Sequence, residues 1–279
     1  MTSRAAEFLA LHVPGTPLLL PNPWDVGSAR VLVGLGFRAL ATTSAGFAGT
    51  HGRTDGNVTR DEALEHAATI AGAVDVPVSA DLENGFAEHP DGVAETVRLA
   101  FDAGLAGCSV EDWDPVAHEL YAPEAAAERV AAAAEAAHDG DRRLVLTARA
   151  DGHIHGRRDP EDLDDIIRRL RAFEQAGADV LYAPGVNSVD GIHRIVEAVS
   201  RPVNVLALAD APPVARLAEL GVARVSTGSG LYWAAMGGLA TAAEELRDHG
   251  TFAFWSGAAA GRAAAATVFR DADRAPRHS

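Results

Sequence analysis

The feature that most constrains this fold is a short apolar run that ends in charge, repeated along the chain. Val76-Pro77-Val78-Ser79-Ala80 runs into Asp81-Leu82-Glu83-Asn84-Gly85. Gly107-Cys108-Ser109-Val110 then meets Glu111-Asp112, and Leu144-Val145-Leu146-Thr147-Ala148 meets Arg149-Ala150-Asp151. Such runs read as strands buried on both faces, the habit of parallel sheets. Others fall at 18–21, 39–43, 180–184, 203–208 and 224–227. Between them, amphipathic or alanine-rich stretches predict helices over 60–74, 92–103, 123–138, 160–176, 188–199 and 212–220. Several stop at a glycine before the next strand, as in Ala103-Gly104 and Leu220-Gly221. Eight strand–helix units without a strong break predict an α/β protein, a closed (β/α)8 TIM barrel. The alternative is a doubly wound sheet, whose first turn often carries a glycine-rich phosphate fingerprint. Here that turn is Asn22-Pro23-Trp24-Asp25-Val26-Gly27.

The 279 residues suit a single barrel domain over 1–279, since the fold typically takes about 250. Beyond the eighth strand, a helix over 238–248 would close the barrel, and one over 258–269 is extra. Residues 236–270 are therefore expected at a subunit interface, and the polar tail after 271 is expected to fray. A net charge of −15 and a pI of about 5.1 argue against nucleic acid or an anionic membrane as partner. No stretch approaches the roughly 20 apolar residues of a membrane span, and the N-terminus lacks a signal peptide's apolar region. Cys108 is the one cysteine, which excludes a disulfide framework or CxxC site and suits a reducing, cytoplasmic setting.

Active sites of this barrel lie at the C-terminal strand ends. There the sequence gathers Asp81, Glu83, Glu111, Arg149, Asp151 and Asn204. Oxygen donors without His or Cys suit Mg²⁺ or Mn²⁺ rather than Zn²⁺. Crowded carboxylates raise one another's pKa unless a cation sits among them. The competing explanation is that Asp81 and Glu111 cap helices or pair with Arg149. The planar fork of Arg149 suits a carboxylate, either a substrate's or that of Glu111 or Asp151. Small residues in Thr43-Ser44-Ala45-Gly46 let backbone N–H groups approach an anion. The polar stretch 46–57, with Asp55, is a lid or a plain connector. Thr227-Gly228-Ser229-Gly230 is a phosphate cradle or a turn into a helix, and His153 and His155 belong to a solvent-exposed loop or, failing that, ligate metal. No GxSxG elbow occurs, which argues against a serine hydrolase.

Taken as a set, Thr42–Gly46, the loop to Asp55, Ser79–Phe86, Val110-Glu111-Asp112 and Thr147–Asp151 resemble the isocitrate lyase / phosphoenolpyruvate mutase superfamily, over about residues 15–235. The resemblance implies a barrel whose last helix is swapped between subunits, in a homodimer or homotetramer. It implies Mg²⁺ and a small anionic 2-oxo acid or its adduct. It makes Asp81 the direct metal ligand, with Glu83 and Glu111 acting through metal-bound waters. Arg149 and the backbone of Ser44, Ala45 and Gly46 would hold substrate, Asp55 would be the gating-loop acid, and Trp24 would line the pocket floor. Arg149, Asp55 and Glu111 are then the catalytic candidates, and Asn204 joins the substrate-binding set. Two departures stand out. The family's lyases carry Lys-Cys-Gly-His after the fourth strand, where this chain has Trp113–Tyr121; its phosphonomutases carry His after the sixth, where this chain has Pro184. The expectation is a Mg²⁺-dependent lyase that cleaves a C–C, less readily a C–P, bond beside a 2-oxo acid through a pyruvate enolate. The alternatives are an oxaloacetate decarboxylase or hydrolase, a phosphonopyruvate hydrolase, and a non-catalytic metabolite-binding barrel.

Overall fold

Eight strands, β1 (Leu18–Leu20), β2 (Leu40–Ala41), β3 (Val78–Asp81), β4 (Gly107–Glu111), β5 (Val145–Arg149), β6 (Val180–Tyr182), β7 (Val203–Leu206) and β8 (Arg224–Ser226), lie parallel in one sheet. Their order is β1-β8-β7-β6-β5-β4-β3-β2. The computed structural model describes residues 3–140 and 142–274, so the end of the expected frayed tail lies outside the described residues. The sheet curls until its edges meet. Ala41 donates its N–H to Pro21 O at 3.2 Å, and Asn22 Nδ2 donates to Thr42 O at 2.8 Å. Asn22 Oδ1 accepts the N–H groups of Thr227 and Gly228, both at 2.9 Å. One buried amide thus ties the ends of β1, β2 and β8, and the arrangement is a (β/α)8 barrel.

Register decides which side chains face the axis. One ladder runs Leu18, Arg224, Asn204, Tyr182, Arg149, Glu111; another runs Asp81, Ser109, Thr147, Val180. Residues between these positions point outward, and Val110, Leu146, Leu181 and Val205 join the main core against the helices. Helix Pro90–Asp102 shows the matching pattern: Val93, Val97 and Ala100 form one buried stripe at helical spacing. The bottom of the barrel is closed by helix Arg4–Ala10, capped by Ser3, whose fully buried Phe8 packs with Leu18, Leu20, Ala39, Val145 and Val180.

The strand–helix alternation follows the sequence, with differences of detail. Strand β6 stops at Tyr182, and Pro184 beyond it has no N–H to donate. Ser44–Thr50 is a helix, so the polar connector is shorter than composition suggested. The stretch after β4 makes a small hairpin, Trp113–Asp114 against Glu119–Leu120. The two C-terminal helices are longer than expected, Gly230–His249 and Trp255–Arg274. The last of them packs on helix Val26–Gly34 of its own chain, where Gly34 leaves room for Val268. Trp233, Leu239, Leu246, Phe252 and Trp255 on these helices and their connection remain exposed. No helix of the described residues is long and apolar enough to cross a membrane.

Candidate active site

The strand ends surround a cavity of about 780 Å³, within the usual size of small-molecule sites. At its centre stands Arg149, the last residue of β5. Its Nη1 donates to Asp81 Oδ1 at 3.0 Å, and its Nη2 lies 2.9 Å from Glu111 Oε2. On the other edge Asp151 takes Nε at 3.1 Å and Nη2 at 2.6 Å, a bidentate grip from a side chain only 1% exposed. Burial works against the charge on Arg149, but Asp151, Glu111 and Asp81 outweigh it and hold its pKa well above the ordinary value. Asp151 is positioned in turn: its N–H donates to Asp112 Oδ1 at 2.8 Å, and Asp112 Oδ2 accepts from Arg169 Nη1 at 3.1 Å. Burial, then the nearby Asp151, push Asp112 up to about 7.

The remaining carboxylates exceed what one guanidinium can neutralise. Glu83 is buried, its Oε1 has no hydrogen-bond partner among the described residues, and burial followed by Asp81 and Asp55 pushes it up to about 8. Burial also holds Glu111 well above the carboxylate range, against the pull of Arg149. Glu83 sits at φ +47°, a left-handed backbone conformation that costs a non-glycine residue and that collects at functional sites. Asp55 reaches the mouth from the loop after helix Ser44–Thr50; partial desolvation there, then Asp81, raises its carboxyl. Among the described residues, no three Asp, Glu, His or Cys side chains stand as a preformed metal cage. The chemistry of Asp81, Glu83 and Glu111 nonetheless fits a hard divalent cation. The donors are all oxygen, their charges repel one another, and the orphaned Oε1 of Glu83 lacks a partner that a cation would supply.

Ser44, Ala45, Asp55, Asp81, Glu83, Glu111, Arg149 and Asn204 all line this cavity. Trp24 and Gly46 do not. The Trp24 ring meets Tyr232 edge-on at 5.6 Å, and a Cβ on Gly46 would strike Thr43 and crowd Trp24 and Tyr232, so both sit behind the wall. The expected backbone cradle is also largely engaged. Thr43 caps the helix that begins at Ser44, and the Gly46 N–H donates to Thr43 Oγ1 at 3.2 Å. Ser44 gives both its N–H and its hydroxyl to Asp81 Oδ2, at 3.2 and 2.9 Å. Thr227-Gly228 turns into a helix, with its N–H groups taken by Asn22. Cys108 faces the outer core, fully buried and pushed up to about 12, where it cannot replace an acid/base thiol.

The strand-end pattern includes Tyr182 at the close of β6, but two other lining residues, His155 and Arg224, lie outside it. Tyr182 places its ring 5.5 Å from the Arg149 guanidinium carbon. His155 keeps solvent access, yet its ring stacks on Trp113 at 3.5 Å between centroids and both reach the mouth. Arg224 faces the axis below. The alternation Arg224-Val225-Ser226 was the available signal, since it puts Arg on the inward side.

The family model described as phosphoenolpyruvate phosphomutase matches residues 8–247. An uncharacterised protein of Mycobacterium tuberculosis (strain ATCC 25618 / H37Rv) is 35% identical over 87% of this chain and 89% of its own length. The 2,3-dimethylmalate lyase of Eubacterium barkeri is 29% identical over 70% of this chain and 68% of its own. A crystal structure from Burkholderia cenocepacia J2315, provisionally described as a lyase/mutase, superposes with a TM-score of 0.85 at 49% identity, covering 90% of each chain.

Proposed function

The chain belongs to the phosphoenolpyruvate phosphomutase family, and from that premise we propose that it cleaves a carbon–carbon bond beside a 2-oxo acid, with Mg²⁺ or Mn²⁺ as cofactor. The observation that carries this reading is Arg149, fixed among Asp81, Glu111 and Asp151 at the heart of the cavity. A cation held by Asp81, with Glu83 and Glu111 beside it, would polarise the 2-oxo group. Arg149 directs a preorganised charge at the oxygen where negative charge develops, and Asp151 keeps it from reorienting during the reaction. Ala45 and Asn204 bound the space left for the acid's own carboxylate and carbon chain. Asp55, carried on the connector at the mouth, is the group placed to close on bound substrate. The exposed apolar residues of the C-terminal helices support a homodimer or homotetramer.

A second reading, decarboxylation or hydrolysis of oxaloacetate or phosphonopyruvate, is favoured by the thiol-free wall of Trp113, His118 and His155. Such a site would draw its proton from water. Carbon–carbon cleavage, decarboxylation of oxaloacetate and hydrolysis of phosphonopyruvate all pass through pyruvate enolate, whose planar, dianionic shape oxalate shares; hydrolysis of oxaloacetate instead releases oxalate itself and the enolate of acetate. With Mg²⁺ present, oxalate is expected to bind at least about 100-fold tighter than pyruvate, and titration calorimetry without the cation should show that advantage gone. Equal affinities for oxalate and pyruvate would sink the enolate reading.

A further inference from the structure

Beneath the carboxylate cluster the barrel buries a cation that, among the described residues, has no anion beside it. Arg224 opens β8, faces the axis, and is 4% exposed. Its Nη1 donates to Thr147 Oγ1 at 3.1 Å and to His12 Nε2 at 3.2 Å, while its Nε has no partner among the described residues. Neither contact is an anion. His12 uses Nδ1 toward Phe8 O at 2.9 Å, which leaves Nε2 as the acceptor. Burial, then Arg224 itself, push His12 down to about 3, so it is neutral. Burial lowers Arg224 only to about 10, so it keeps its charge at neutral pH.

The other interior arginines show what this one lacks. Arg149 has three carboxylates, and Arg169 has Asp112 and Asp165. Arg129 shares the unpartnered Nε, but its two terminal nitrogens donate to three backbone carbonyls, those of Asn84, Ala87 and Glu88, and the Tyr121 ring lies 4.2 Å away. Burying an unpaired charge is costly, and an apolar side chain at the same inward position would avoid that cost.

Asn204 is the register neighbour of Arg224 and is 1% exposed. Its Nδ2 donates to Ser226 Oγ at 2.9 Å and its Oδ1 has no partner among the described residues. Turned over, the same amide accepts from the Ser226 hydroxyl and points Nδ2 into the shaft. Arg224 and Asn204 both line the cavity that holds Asp81 and Arg149. Thr147, the partner of Arg224, precedes Arg149 by two residues in β5, roughly 6.6 Å along the strand. That is the reach of a short dicarboxylate.

We propose that Arg224 and Asn204 form an anion subsite in the barrel shaft that receives the second carboxylate of a dicarboxylic 2-oxo acid. The subsite itself stands on the orphaned guanidinium; its assignment to substrate rests on the oxo-acid reading above. The test titrates the full-length protein, with Mg²⁺, with two matched pairs: 2-oxoglutarate against 2-oxovalerate, and oxaloacetate against 2-oxobutyrate. In at least one pair the dicarboxylate is expected to bind about tenfold tighter or more. Arg224→Met should erase the difference while leaving the monocarboxylate affinity as it was. Arg224→Lys should recover part of it, and Asn204→Asp should reverse it. If Arg224→Met does not fold, as its unliganded melting would show, Asn204→Asp carries the test. A parallel arm compares melting in sodium bromide and sodium gluconate. A bromide effect lost in Arg224→Met, with no preference in either pair, would give the site to a free inorganic anion and overturn the substrate assignment. Neither a preference nor a bromide effect would overturn the subsite. Failure of the oxo-acid reading would look different: no monocarboxylate would bind the wild type with Mg²⁺, and the bromide arm would still report on Arg224.

Discussion

Arg149→Met is expected to lower kcat by about 10²–10³-fold and to destabilise the cation-free protein by about 3–5 kcal/mol near pH 8. Both effects follow from the same four contacts. The guanidinium reaches Asp81, Glu111 and Asp151 at once, and Asp151 is almost wholly buried. Removing it leaves that carboxylate in the interior with only the Asp112–Arg169 pair behind it. Lysine cannot stand in: a single ammonium cannot fork between Asp151 and the cluster, so Arg149→Lys should keep most of the loss in kcat. The stability loss should shrink toward pH 5, where Glu83, pushed up to about 8 by burial, is protonated and no longer needs a counter-charge. Chemical denaturation at the two pH values, together with kcat, checks this. A variant equally destabilised at both would mean that Arg149 acts by packing and not by charge.

Without divalent cation, the wild-type protein is expected to lose stability steadily as pH rises from about 6.5 to about 8. The sign follows from the groups involved. Glu83 rises from 4.5 to about 8 on folding, and Asp112 from 3.8 to about 7. Across that window the folded state binds more protons than the unfolded chain, so stability falls as pH climbs and the fall ends once Glu83 has ionised. His12 acts in the opposite sense: pushed down to about 3, it costs stability as pH drops below 6.5 and is silent above. Millimolar Mg²⁺ should remove most of the fall, because a cation among Asp81, Glu83 and Glu111 favours their ionised forms. At 100 times its Kd it adds about 2.7 kcal/mol. Glu83→Gln should flatten the cation-free profile and weaken the response to Mg²⁺. Mg²⁺ stabilisation equal in wild type, Glu83→Gln and Asp81→Ala would place the cation elsewhere.

Much of this site could be read from the sequence, because burial and charge conflict visibly at the strand ends. Apolar runs ending at Asp81, Glu111 and Arg149 only make sense if those ends converge, and in the barrel they do. Local pattern was a weaker guide where one residue type serves two purposes. The run Thr43-Ser44-Ala45-Gly46 suits both an anion cradle and a helix start. The structure takes the second, because Thr43 caps the turn and Asp81 occupies the N–H of Ser44. Trp24 follows β1 closely, but Tyr232, from a helix some two hundred residues on, draws it behind the wall. The stacking of His155 on Trp113 joins two loops whose shapes no periodicity encodes. Arg224 was legible in principle, since inward and outward positions alternate strictly along β8, but its missing anion shows only when His12 and Thr147 are placed around it.

This barrel is expected to stabilise an enolate at a cation site built on Asp81. The most direct test incubates the protein with Mg²⁺ and a panel of oxaloacetate, phosphonopyruvate, 2-methylisocitrate and branched malates, following release of pyruvate or another oxo acid, beside Asp81→Ala. Release is expected from at least one member, dependent on the cation and abolished in Asp81→Ala with its fold intact. Release that persists in Asp81→Ala, or proceeds unchanged with the cation chelated, would rule out an enolate held at that site.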